Sequence, residues 1–139
     1  MTVSIHQIRV VMLWTLLLVG MVLHFNYHVS KIFYVESVMR PGADGTLPPM
    51  VYVLRNVFYH LPMLFIVLAL YGQQYWLRGL LFLVSLPYTL AHALHVIDAF
   101  NKPTIDWLGQ VILLSMLFGL SVLLNVTAWQ YWRKNPAVA

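Results

Sequence analysis

The chain has 139 residues, of which 61% are hydrophobic and only 9% are charged. Charged residues usually make up about a quarter of a water-soluble domain, because they cover its surface. The composition therefore argues against a soluble domain and predicts a protein surrounded by lipid. The lack of cysteine excludes disulfides, thiolate metal sites and cysteine nucleophiles. The basic residues behind the net charge of +4 are dispersed, so we expect no nucleic-acid partner.

Four apolar stretches approach the roughly 20 residues that an α-helix needs to cross a bilayer. Their predicted bounds are about 8–29, 50–71, 77–97 and 105–132, and the one longer loop is predicted over about 40–49. Residues 31–39 are predicted to continue the first helix into the interface. The connection around Gln73 is short enough to require an antiparallel hairpin. The sequence thus predicts an all-α, integral membrane, antiparallel four-helix bundle, with residues 1–139 forming one transmembrane domain.

The distribution of acidic residues suggests an orientation. With four spans, both termini lie on one side of the membrane, and Lys and Arg are equally numerous on the two sides. The acidic residues all lie on the side opposite the termini: Glu36, Asp44, Asp98 and Asp106. We therefore expect both termini in the cytoplasm, in a bacterial cytoplasmic membrane.

Histidines on three of the four spans fall at one depth. His24, His60 and His92 each lie 13 to 15 residues from the polar boundary of their span on the side of the termini. At 1.5 Å per residue this distance is roughly 20 to 23 Å. His28 and His95 lie about one turn further out. The sequence therefore predicts a layer of imidazoles in the extracytoplasmic half of the bundle.

The spacing of these histidines is suited to metal binding. His24 and His28 are four residues apart, and His92 and His95 are three apart, so each pair lies on one face of its helix. Asp98 follows His95 by one turn and is predicted to orient it by accepting the other ring N–H.

Ionisable groups inside a span are costly and usually mark a function or a partner. Imidazole suits Cu, Zn or Fe. The favoured function is therefore a transition-metal site, which could also carry out redox chemistry. Its predicted ligands are His24, His28, His60, His92 and His95, and Asp98 completes the predicted metal site by orienting His95.

Other cofactors and roles remain open at this stage. A b-type haem needs only two axial histidines from facing helices, such as His60 with His92 or His24, and in this respect the chain is similar to four-helix membrane cytochromes. An apolar pocket for a quinone or isoprenoid would use His60, Tyr59 and Tyr88 as polar contacts. On the fourth span, Gly119 reaches the same depth and would leave room for a bound group.

A non-catalytic role is the remaining alternative. Small four-span proteins of this kind also serve as accessory subunits of larger membrane complexes or form homo-oligomers. The chain has no phosphate-binding glycine loop and no G-x-S-x-G motif, so no reaction is indicated. Membrane hydroxylases and desaturases carry short histidine pairs like His24-x-x-x-His28, but with more histidines than this chain has, and we assign no family.

Overall fold

A computed structural model describes residues 4–34, 42, 44–102 and 106–134. The first span consists of helix α1 and a 3-10 turn, the second of helix α2, a π-helical turn and helix α3, and the third and fourth of one helix each. Their bounds are α1 Ile5–Ser30, the 3-10 turn Lys31–Tyr34, α2 Pro49–Arg55, the π-helical turn Asn56–His60, α3 Leu61–Tyr71, α4 Tyr75–Asn101 and α5 Trp107–Arg133.

The predicted fold class is confirmed, since the described chain contains four helical segments long and apolar enough to cross a membrane. Residues 72–74 join α3 to α4 and form the predicted short hairpin. The helices extend beyond several of the predicted span ends, because polar residues near the interface remain helical while their side chains reach water. The predicted start of the fourth span, near residue 105, lies outside the described residues.

The loop between the first two spans is described only in part. The predicted interfacial helix 31–39 is described as a 3-10 turn over Lys31–Tyr34, whereas residues 35–41 and 43 lie outside the described chain. Pro49 begins α2, as its fixed backbone angle favours. Within the loop, the Asp44 carboxylate accepts hydrogen bonds from the backbone N–H and the hydroxyl of Thr46, which lower the pKa of Asp44.

The core lies along the line where α1 packs against α5 and α3, and where α5 packs against α4. Trp14 is fully buried at its centre, with its ring centroid 5.0 Å from that of Phe65 and 4.9 Å from that of Tyr88. α1 and α5 approach closely at Gly20, where a Cβ atom would overlap the side chain of Leu117. A larger residue at position 20 would therefore force the two helices apart or displace Leu117.

Proline in the second span produces the π-helical turn. Pro62 has no N–H, and the Leu61 N–H bonds to the Asn56 carbonyl, five residues earlier, instead of to Val57. The Val57 carbonyl thus has no amide partner within its own helix. The hydroxyl of Tyr88 on α4 donates to this carbonyl and joins the second and third spans. A backbone acceptor that lipid cannot satisfy is thereby paired inside the bundle.

On the side of the termini, α1 completes the end of α3. The last carbonyls of a helix have no intrahelical donor. The side-chain amide of Gln7, which is buried, donates to the carbonyls of Ala69 and Leu70 at 2.9 Å each. This contact fixes the second span against the first at the end opposite the histidines.

Candidate metal centre

Three of the predicted ligands lie together between the C-terminal halves of α1 and α4. His24 and His28 project from α1, and the ring centroid of His95 on α4 is 5.8 Å from that of His24. We call these three residues the histidine cluster. The helical spacing of four residues brings the two α1 rings together, and the packing of the bundle brings α4 beside them.

Within the cluster, the Nε2 atoms of His24 and His28 are 3.2 Å apart. Two nitrogens bound to one tetrahedral zinc ion at about 2.0–2.1 Å would be separated by about 3.3 Å. The pair therefore has the separation that chelation of one ion requires. Without an ion, the same distance allows an N–H···N hydrogen bond in which one imidazole donates and the other accepts.

Hydrogen bonds set the tautomers of two further histidines. The Nδ1 of His95 is 3.2 Å from the Ala91 carbonyl oxygen, and the Nδ1 of His60 is 2.7 Å from Asn56 Oδ1. Both oxygens are acceptors, so each Nδ1 carries the proton and each Nε2 retains its lone pair. Metal-binding histidines are commonly held in this state by such bonds. The sequence did not identify Ala91 as the group that orients His95.

His60 does not join the histidine cluster directly. Its side chain is exposed, and it lines a cavity of about 500 Å³ that His95 also borders. The number of residues from the membrane face determines how far a residue lies along its helix but not the direction in which its side chain faces. His60 therefore lies at the predicted depth but not beside His24 and His28.

His92 lies in the core, where its side chain is 1% exposed. Its ring centroid is 6.2 Å from that of Phe58, which is also 6.0 Å from the ring of His95. Among the described residues, neither ring nitrogen of His92 has a hydrogen-bond partner, and the same holds for Nδ1 of His24. Buried polar atoms are normally paired, so these nitrogens give this region unused capacity to bind a proton, a water molecule or an ion.

The remaining predicted contacts lie elsewhere. Asp98 forms an ion pair with Lys102 at 2.6 Å, and both side chains are mostly exposed. The Tyr88 hydroxyl bonds to Val57, so it is engaged with the protein itself. Tyr59 is half-buried and borders the same cavity as His60, whereas Gly119 is exposed with no atom within 4 Å of a Cβ built on it.

In the part of the chain that the structure describes, no three His, Asp or Glu side chains are arranged to hold one metal ion. The His24–His28 pair is thus a two-ligand arrangement with His95 as its nearest additional imidazole. Comparison with protein-family models, curated proteins and solved structures finds no match to this chain.

Proposed function

We propose that this integral membrane protein binds a transition-metal ion at the histidine cluster, in the half of the bundle remote from the termini. The observation that carries the proposal is the 3.2 Å separation of the His24 and His28 Nε2 atoms. Neutral imidazole is a good ligand for copper, zinc and iron, and two ligands on one helix turn bind without moving the backbone.

His95 is proposed as the third ligand. Its Nε2 lone pair is available because Nδ1 faces the Ala91 carbonyl, but its ring must move closer to His24 to share an ion. If the bound ion is copper or iron, the site also permits electron transfer.

The same geometry supports a bare ion better than a haem. Axial ligands approach a haem iron from opposite faces of a flat ring and are separated by about 4 Å, twice an ordinary iron–nitrogen bond. His24 and His28 come from one helix and are only 3.2 Å apart. A haem held by His60 would have its ligand on the exposed surface of the second span.

Metal content tests the proposal. The protein, purified in mild detergent without a histidine tag, would be dialysed with Zn²⁺ or Cu²⁺ and then analysed by mass spectrometry for metal per chain. We expect near-stoichiometric metal in the parent protein and loss of most of it in His24→Gln and His28→Gln. His6→Gln, at the opposite end of α1, is the matched control and should retain its metal. Equal metal content in all three variants would refute the assignment.

We also propose that both termini face the cytoplasm of a bacterial cell, because the acidic residues that the structure describes, Asp44, Asp98 and Asp106, lie at the end of the bundle remote from the termini. The chain has no cysteine, so single cysteines report accessibility without background. Thr46→Cys should react with an impermeant maleimide in intact spheroplasts, and Ser4→Cys should react only after lysis. The reverse pattern would invert the orientation.

A further inference from the structure

A second candidate site lies beside the histidine cluster, in the cavity of about 500 Å³ between α1, the N-terminal part of the second span and α4. We call it the outer cavity. Its apolar walls include Met21, Val22 and Phe25 from α1 and Phe58 from the π-helical turn. Arg55, Tyr59, His60 and His95 supply its polar groups. A cavity of this size, mostly apolar with a few convergent polar groups, is typical of a small-ligand site.

The fold explains why space is left here. None of the seven residues of α2, Pro49–Arg55, is buried. The π-helical turn that follows α2 changes the direction in which successive side chains face, because it holds one residue more than an α-helical turn. Phe58 on this turn is buried against α4, whereas α2 stands away from α1. The wall residues Val22 and Phe25 are about half exposed, so the cavity is open at the surface of the bundle.

The polar groups favour a ligand that both donates and accepts hydrogen bonds. The Nε2 atoms of His60 and His95 are acceptors, since each Nδ1 carries the proton. The Arg55 guanidinium is a donor, and within the described residues it forms no ion pair. A phosphate group would satisfy Arg55 but would face the two imidazole lone pairs. A hydroxyl group that also carries lone pairs satisfies both kinds of partner.

We propose that the outer cavity binds the headgroup of an isoprenoid quinol, with its apolar tail in the bilayer. One ring hydroxyl donates to His60, and an oxygen of the ring accepts from Arg55. The aromatic wall formed by Phe25 and Phe58 suits a flat ring. His95 borders both the outer cavity and the proposed metal site. The outer cavity is present without a bound metal ion.

The test measures binding of a ubiquinol with one isoprenoid unit, under argon, to metal-free protein in detergent by titration calorimetry. Metal-free protein separates this proposal from the metal assignment, because failure of either leaves the other measurable. Val22→Trp fills the cavity from α1. Val19→Trp is the matched control, since Val19 and Val22 are similarly exposed, at 49% and 50%, and Val19 is not a wall residue.

We expect Val22→Trp to weaken quinol binding at least tenfold and Val19→Trp to leave it unchanged. His60→Leu should weaken quinol binding on the order of tenfold, the value of one hydrogen bond, and leave binding of the oxidised quinone unchanged. The parent protein should prefer quinol to quinone. The proposal is overturned if folded parent protein shows no saturable binding, if Val22→Trp binds normally, or if quinone binds as tightly as quinol.

Discussion

Replacement of Tyr88 by phenylalanine should destabilise the bundle through the second span. The substitution keeps the ring, including its edge-on contact with Trp14 at 4.9 Å, and removes only the hydroxyl that donates to Val57. The Val57 carbonyl is then left without a donor, because Leu61 bonds to Asn56 and Pro62 has no N–H. An unsatisfied buried acceptor costs about 1–3 kcal/mol, and we expect a decrease of this size in the free energy of unfolding.

Replacing Pro62 tests whether the Tyr88 hydroxyl stabilises the bundle by pairing the Val57 carbonyl. In Pro62→Ala, residue 62 regains an N–H, so the Val57 carbonyl can be paired within its own helix. The Tyr88 hydroxyl is then no longer required, and its removal should cost less than about 1 kcal/mol. The two substitutions should therefore be coupled by about 1–2 kcal/mol, within the range seen for residues that share one hydrogen bond.

The assay is unfolding in mixed micelles at increasing fractions of sodium dodecyl sulfate, followed by circular dichroism for the parent, the two single variants and the double variant. Equal losses of unfolding free energy for Tyr88→Phe in the proline and alanine backgrounds would contradict a role of the hydroxyl in pairing the Val57 carbonyl. Additivity of that kind would mean that the hydroxyl acts through another partner.

Two further predictions concern helix packing and acidity. Gly20→Ala should lower the free energy of unfolding by about 1–3 kcal/mol, because the new methyl group overlaps Leu117. The control Gly119→Ala, whose methyl group meets no atom within 4 Å, should change the free energy of unfolding by less than about 1 kcal/mol. Equal effects of the two substitutions in the same unfolding assay would contradict the close approach of α1 and α5. Metal occupancy measured by dialysis should fall as the solution is acidified, because protons compete with the metal for the imidazole nitrogens. Occupancy that does not decrease at any pH at which the protein stays folded would contradict histidine ligands.

The four spans could be predicted from the sequence because lipid imposes a strong requirement on composition. Almost every residue of a span must be apolar, so long runs without charge are visible without any knowledge of the fold. The same uniformity hides which face of each helix is buried. Leu16 and Leu17 are identical neighbours in the sequence, yet Leu17 is 2% exposed and Leu16 is 46% exposed.

The candidate site was predictable to the extent that it depends on spacing within one helix. Four residues bring His24 and His28 together whatever the tertiary structure. The position of His60 depends on the rotation of the second span, which the π-helical turn alters, and depth along the helix does not determine it. Similarly, a proline at position 62 leaves one backbone carbonyl without its helical donor, but only the packing of α4 shows that the Tyr88 hydroxyl donates to that carbonyl.

The central claim is that imidazoles of the histidine cluster bind one metal ion, and X-ray absorption at the metal edge tests it most directly. Zinc-loaded protein should show nitrogen ligands at about 2.0–2.1 Å together with the outer-shell scattering of at least two imidazole rings. His6→Gln should give the same spectrum, and His28→Gln should lose one ring. A first shell without imidazole scattering, or a spectrum unaffected by His28→Gln, would contradict the account.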